Sequence, residues 1–184
     1  MDRIRMTDPE SPYYRQAMEL YAAGFPLHEQ RRPEEQIQAM KDPAFHCDAL
    51  VESGTFIGLL FYWDAVGVTY VEHFAVVEAL RSSGAGSRAL AAFCPAHAPV
   101  VLEIDPPEDA VSTRRKGFYQ RLGFAENSYA HRHPPYRTGF APHPLVVMSW
   151  PEALSPEAYS AFSRMLSHRV MRYAQVGISQ LAAT

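Results

Sequence analysis

Apolar and polar positions change period several times along this chain. Met1 to Met6 reads as a short strand. Ser11 followed by Pro12 is a helix start: a serine oxygen accepts from the free N–H groups of the first turn, and proline suits a position whose N–H has no partner anyway. Tyr14, Met18 and Tyr21 follow at helical spacing, with Ala17 and Leu20 beside them, and Gly24 ends the run. After the loop Phe25 to Glu29, Pro33 opens a second short helix through Met40. The pattern then turns β-branched and aromatic. His46 to Glu52, Thr55 to Trp63 and Thr69 to Val77 predict three strands separated by Ser53-Gly54 and Gly67, and such short turns imply an antiparallel meander. A loop from Arg81 to Gly86 leads into a helix from Ser87 to Phe93, stopped by Pro95. Pro99 to Ile104 is almost wholly apolar, as a strand buried on both faces would be. Val111 to Leu122 is a helix closed by Gly123. Strands near Phe124 to Tyr129 and Leu145 to Ser149 follow, then an amphipathic helix from Pro156 to Tyr173. A meander followed by strand, loop, helix and strand predicts a mixed sheet in an α/β domain.

Length and composition narrow this only slightly. The chain has 184 residues, 47% of them hydrophobic, which suits one domain with a sizeable core. Its formal net charge of -3 excludes a global basic field that would hold nucleic acid non-specifically. The basic clusters Arg31-Arg32, Arg114-Arg115-Lys116 and Arg132 to Arg137 read as solvated faces. Cys47 and Cys94 form neither a disulfide framework nor a zinc spacing and read as buried thiols. The first residues lack the apolar core of a signal peptide, and no stretch is long and apolar enough to span a bilayer. The expected compartment is the cytoplasm, with no membrane or nucleic-acid partner.

Arg81-Ser82-Ser83-Gly84-Ala85-Gly86-Ser87 lies between a strand and a helix. Such a loop aims several backbone N–H groups at one place, and the helix adds its positive end there. Glycine lets the backbone approach a ligand closely. The parts suit a pyrophosphate, and they equally suit a plain strand-to-helix turn of small residues. Gly84-Ala85-Gly86-Ser87-Arg88-Ala89 also spells G-x-G-x-x-[GA], with Glu103 and Asp105 about 20 residues on, as in a dinucleotide site. That motif belongs after the first strand of a parallel sheet, whereas here it follows a meander in mid-chain.

Three segments in order are more specific than the loop alone: Phe74-Ala75-Val76 with Arg81-x-x-Gly84-x-Gly86, then Val101-Leu102-Glu103-Ile104, then Gly117-Phe118-Tyr119-Gln120-Arg121-Leu122-Gly123-Phe124. Together they resemble the GNAT family of N-acetyltransferases over residues 1 to 150, with 151 to 184 as a helical extension packed on the same domain. The resemblance implies a mostly antiparallel central sheet flanked by helices and splayed between its fourth and fifth strands. It implies acetyl-CoA as co-substrate. Backbone N–H groups of Ser82, Ser83, Gly84, Ala85, Gly86 and Ser87 would hold the pyrophosphate, flanked by Arg81, with Arg115 and Phe118 on the same side. Phe74, Ala75 and Val76 would pair with the pantetheine arm. Transfer to an amine needs a base and an acid. Glu103 matches the glutamate of the family's fifth strand, Glu72 lies on the fourth strand, and Tyr119 matches the tyrosine that protonates the departing thiolate. Strand alternation puts Tyr70, Glu72 and Phe74 on one face.

The segment Asp105-Pro106-Pro107-Glu108-Asp109 replaces the asparagine usual in the family, and Ser82-Ser83 lacks the family's basic residue. His28, Glu29, Tyr70 and Tyr136 are the expected acceptor contacts, the loop around Tyr136 carrying the segment His133-Pro134-Pro135-Tyr136. His131, His133 and His143 have weak metal spacing and read as loop histidines, so no metal is expected. The leading expectation is an N-acetyltransferase, monomeric or homodimeric, acting on a primary amine of a small molecule or peptide. A non-catalytic acyl-CoA-binding module is the alternative, and a nucleotide-dependent oxidoreductase the third reading.

Overall fold

The computed structural model describes residues 1–65 and 67–175. Its elements are β1 (Asp2–Met6), α1 (Tyr14–Gly24), α2 (Pro33–Ala39), β2 (Phe45–Glu52), β3 (Thr55–Ala65), β4 (Val68–Val76), α3 (Ala85–Phe93), β5 (Val100–Ile104), α4 (Ala110–Arg121), β6 (Ala125–Glu126), β7 (Arg132–His133), β8 (His143–Pro144), β9 (Val146–Trp150) and α5 (Pro156–His168). Seven strands form one sheet in the order β1-β2-β3-β4-β5-β9-β6. Only β4 and β5 run parallel, and β7 with β8 forms a separate small ribbon. The mixed, mostly antiparallel sheet flanked by helices is the expected fold.

Both sheet faces are covered, which explains the long buried runs in β2 and β3. Met6, Tyr21, Phe45, Phe61, Trp63, Tyr70 and Val101 face one core with α1, α2 and α5. Leu60, Tyr62, Val71, Leu102 and Met148 face the other with α3 and α4. Phe162 and Leu166 of α5 are fully inside the first core, as is Val170 beyond it. Residues 176–184 of the C-terminal extension lie outside the described residues. No helix among the described residues is long and apolar enough to cross a membrane.

Several boundaries differ from those the sequence predicts. Ser11 does not cap α1: its hydroxyl accepts from the N–H groups of Thr7 and Asp8, closing the preceding turn, and α1 starts after Tyr13 at φ 68°. α3 begins at Ala85 rather than Ser87, because Gly84 takes φ 82° and lets the chain enter the helix early. The strand expected from Phe124 to Tyr129 shrinks to two residues. Asn127 ends it by turning its side chain inward, donating to Val147 O at 3.2 Å and Ser149 Oγ at 2.9 Å and accepting from Leu154 N at 2.7 Å.

Candidate active site

The site forms where β4 and β5 part. Their parallel register runs Thr69↔Val100, Tyr70↔Val101, Val71↔Leu102 and goes no further. At that point β4 carries a bulge. Tyr62 of β3 faces Val71 and Phe61 faces His73, so Glu72 is the extra residue. An extra residue shifts the side-chain alternation by one. Tyr70 and Glu72 share the face of α1, α2 and α5, but Phe74 lies on the opposite face with Val71 and Val76. The grouping of Tyr70, Glu72 and Phe74 on one face is therefore corrected. Beyond the fork the main chain itself is open. Glu72 is half-buried as a residue although its side chain has no exposure, and Glu103 has only 4% side-chain exposure. The exposed part is backbone, as in a slot waiting for a strand-like partner.

At one end of the slot the chain leaves β4 through a helical turn, Glu78–Leu80, and enters α3. Ser82 and Gly84 both take left-handed backbone angles, φ 69° and 82°. Ser83 fixes the loop by donating its hydroxyl to Leu80 O at 2.7 Å and accepting from Ala85 N at 3.3 Å. Arg81, Ser82, Ser83 and Gly84 are exposed, and the first turn of α3 has no acidic residue. Gly86 and Ser87 thus present N–H groups at a helix end whose first turn has no acidic residue, while Ala85 N–H is held by Ser83 Oγ. Gly86 abuts Phe74, Phe118 and Val76, and an added Cβ would lie 3.5 Å from each. Arg115, across the slot on α4, pairs with Asp105 at 2.5 Å.

Tyr119 is buried on the α3 and α4 side. Its ring stands edge-on to Phe118 and Phe124, with centroids 5.1 and 5.5 Å away. Burial pushes its hydroxyl up to about 12, so it keeps its proton at neutral pH.

The two glutamates differ in their company. Glu72 is gripped by a fork: Arg31 Nη1 donates to Oε2 at 2.8 Å and Nη2 to Oε1 at 2.6 Å. Trp63 Nε1 adds a third bond at 3.1 Å and the Tyr136 hydroxyl a fourth. Burial alone would raise this carboxyl, but the Arg31 charge overcomes it and brings it down to about 2. Glu103 has a hydroxyl and histidines. The Tyr70 hydroxyl donates to Oε2 at 2.5 Å, His131 Nε2 bonds Oε1, and His133 Nε2 stands 3.8 Å from Oε2. Burial would raise Glu103, and His133, His131 and Tyr70 together bring it below the usual carboxylate range. Burial lowers His133, favouring the neutral ring. His131 Nδ1 continues the chain to the Tyr159 hydroxyl at 2.9 Å on α5.

The two loops expected to meet the acceptor do come together. Tyr136 N donates to His28 O at 2.8 Å, and Arg137 Nε donates to Gln30 O at 3.0 Å. Tyr136 is fully buried, with Met171 and Ala174 packed on it, whereas His28 and Glu29 sit at the rim. Three residues read as surface prove internal. Arg31 has no side-chain exposure, and His131 and His133 are buried against Glu103. Nothing local in the sequence separates Arg31 from its neighbour Arg32, whose side chain is 41% exposed, since the partner of Arg31 lies 41 residues away. The signal available was the pair Glu72 and Glu103: charges in apolar strands need partners.

The model of the acetyltransferase (GNAT) family matches residues 14–124. The chain belongs to that family. A solved structure from Bacteroides thetaiotaomicron, described as an acetyltransferase of the GNAT family, is 31% identical, with 93% of this chain and 98% of that chain covered and a TM-score of 0.86. The ribosomal-protein-S18-alanine N-acetyltransferase from Escherichia coli is similar in fold at 16% identity, with a TM-score of 0.51 over 85% of this chain and 96% of that one. Arabidopsis thaliana Naa50, solved with the bisubstrate analogue CoA-Ac-MVNAL, is similar at 15% identity, with a TM-score of 0.56 over 80% of this chain and 96% of that one. No curated protein matches the sequence. β4 is the last strand of an antiparallel meander and runs parallel to β5 alone, so the dinucleotide spelling does not follow the first strand of a parallel sheet.

Proposed function

We propose that this protein is a cytoplasmic, acetyl-CoA-dependent N-acetyltransferase acting on a primary amine of a small molecule or peptide. The fork of β4 and β5 carries the reading: it bares main chain between an N–H-rich loop and a pair of partnered carboxylates. The neighbour solved with a CoA–peptide conjugate supports the class of both substrates. Bound acetyl-CoA supplies a thioester carbonyl to the amine. The N–H groups of Ser82, Gly84, Gly86 and Ser87 hold its pyrophosphate, those of Ser83 and Ala85 being used inside the loop, and Phe74, Ala75 and Val76 flank the arm. A main-chain N–H near Val76 polarises the carbonyl.

Glu72 and Glu103 divide the remaining work. Glu72 accepts four donors and is committed to Arg31, so it fixes the fork rather than moving protons. Glu103 is the base. It takes the proton of the incoming ammonium, with His131 and His133 to share that charge. Tyr119, protonated by burial, returns a proton to the departing thiolate. One observation favours a non-catalytic acyl-CoA-binding module instead: Glu103 and His133 each have only 4% side-chain exposure, so the acceptor side is closed.

The test begins with thermal unfolding in acetyl-CoA, with NAD and ATP as controls. Ligand at about 100 times its dissociation constant stabilises by about 2.7 kcal/mol, and each kcal/mol moves the midpoint by about 2–4 °C. An acetyl-CoA-specific shift is expected. In an amine screen Tyr119→Phe and Glu103→Gln should each lower turnover by about 100-fold or more, with acetyl-CoA affinity nearly intact. A shift with acetyl-CoA but no turnover on any amine would select the binding module, and a shift with NAD alone would end the proposal.

A further inference from the structure

Acetyl transfer leaves one cluster unexplained at the rim. His28 and Glu29 end the helical turn Leu27–Glu29, and His143 opens β8. His143 Nε2 lies 3.4 Å and His28 Nε2 3.7 Å from the same oxygen, Glu29 Oε1. One donor atom from each of the three fits within 4.8 Å of the others. These separations are longer than a normal N–H···O bond of about 2.7–3.2 Å. The 3.4 Å separation equals the edge of a coordination tetrahedron, about 3.3–3.6 Å for bonds of about 2.0–2.2 Å, and the 3.7 Å one lies just beyond it.

A second observation points the same way. Both ring nitrogens of His143 are buried and have no hydrogen-bond partner among the described residues. Nε2 has only the 3.4 Å approach to Glu29 Oε1 and Nδ1 has nothing, and native structures rarely keep buried ring nitrogens so poorly paired without a reason. The ring stands edge-on to His28 with centroids 4.5 Å apart. The backbone behind the cluster is held: His28 O accepts from Tyr136 N at 2.8 Å, and Glu29 O is bonded by His73 Nε2 at 2.9 Å. The side chains keep some exposure, 29% for His28, 21% for Glu29 and 19% for His143, so an ion can enter from solvent.

We propose that His28, Glu29 and His143 form a three-ligand site for a divalent transition ion, Zn²⁺ by its chemistry. Two imidazoles and one carboxylate suit zinc, whereas magnesium and calcium prefer all-oxygen sets. Three protein ligands leave a fourth position for water or for a polar group of the acceptor. The ion joins the turn after α1 to the β7–β8 ribbon. Those segments carry Tyr136 to Glu72 and His133 to Glu103, so zinc clasps the cover of the acceptor side. The site stands on its own geometry, whether or not the chain transfers acetyl groups.

The experiment is zinc content by mass spectrometry after dialysis of the full chain against low-micromolar Zn²⁺. About one equivalent should stay with the wild type, unaffected by excess Mg²⁺ or Ca²⁺. His143→Ala and Glu29→Gln should each weaken zinc at least tenfold, while His97→Ala, at a histidine packed on Phe93, should retain it. Co²⁺ in the wild type should show the strong visible absorption of a tetrahedral site. Circular dichroism in chelator checks that each variant is folded, and if His143→Ala is not, the Glu29→Gln comparison decides. Zinc absent from the wild type, or retained unchanged by the folded variants, would overturn the proposal. Since the readout is bound metal, its failure is separate from failure of acetyl transfer.

Discussion

Asp48 is buried with 5% side-chain exposure, and its Oδ1 has no partner among the described residues. The nearest cation, Arg3 Nη1, is 3.9 Å away on a side chain that is 35% exposed. Burial therefore wins, and the carboxyl rises to about 6 against the partial pull of Arg3 and Arg5. The sign follows from linkage. The folded chain holds this proton more tightly than the unfolded one, so the contribution of Asp48 to stability falls as pH rises from about 4 through about 6. By pH 8 the full cost of a buried, poorly paired charge is present. Asp48→Asn should then stabilise by about 1–3 kcal/mol at pH 8, a rise of roughly 2–12 °C in midpoint, and change little at pH 4. Thermal scans at both pH values check this, and a loss at pH 8 or an equal effect at both would refute it. Glu72 runs the other way. It too is buried, but the Arg31 fork brings it to about 2, so its stabilisation is present above about pH 4.5 and lost as pH falls through 2. Burial acts in the same direction at both residues; the partner decides the outcome. Sequence marked Glu72 and Glu103 as charges in apolar strands, yet it showed neither Arg31 nor the histidines as their partners. Those pairings span 41 and 28 residues and exist only once the sheet is assembled.

Among elements, the strand-to-helix loop after β4 was legible because its message is local: small residues, two glycines and a helix start. Its conformation joins two positions that the motif separates, Ser82 being a free position there and Gly84 a required glycine. Ser82 and Gly84 both adopt left-handed angles. A side chain there costs roughly 1 kcal/mol, partly offset because glycine loses more entropy on folding, about 0.4–1 kcal/mol. Ser82→Gly should therefore stay within about 0.5 kcal/mol of wild type. By the same balance Gly84→Ala should lose no more than about 0.5 kcal/mol, but it should weaken acetyl-CoA, because Gly84 sets the direction in which Gly86 and Ser87 present their N–H groups. Denaturant unfolding with acetyl-CoA titration reads both, and equal acetyl-CoA affinity of the two variants would show that loop shape does not control the cofactor. The bulge at Glu72 was not legible in this way. Alternation along β4 predicted one face for Tyr70, Glu72 and Phe74, and an inserted residue moved Phe74 to the other. A bulge is decided between strands. Gly58 of β3 shows how tightly these two are matched, since a Cβ there would stand 2.4 Å from Ala75 O.

For the molecule as a whole, the question is where the folding unit ends. The family model stops at residue 124, yet the core does not. Periodicity identified the last helix but not the surface it covers, because an apolar stripe does not name its partner. In the structure Ser155 caps α5, and Phe162, Leu166 and Val170 enter the same core as Phe45, Trp63 and Tyr70. Polar ties reinforce the join. Arg169 Nη2 pairs with Asp42 Oδ1 at 2.7 Å, Tyr173 stacks on Trp63 with centroids 5.8 Å apart, and Arg31 Nη2 donates to Val170 O at 3.3 Å. That last bond links the tail to the Arg31–Glu72 fork at the heart of the site. Burying one large apolar side chain is worth about 1.5–3 kcal/mol. Phe162, Leu166, Val170 and Met171 together then approach the whole stability of a domain, about 5–15 kcal/mol. Removing residues 151–184 should therefore abolish cooperative unfolding, seen as loss of near-ultraviolet circular dichroism and of a sharp thermal transition. A truncated chain that melts sharply within a few degrees of the full protein would mean that α5 is an appendage. The fork would then hold its shape without the carbonyl of Val170.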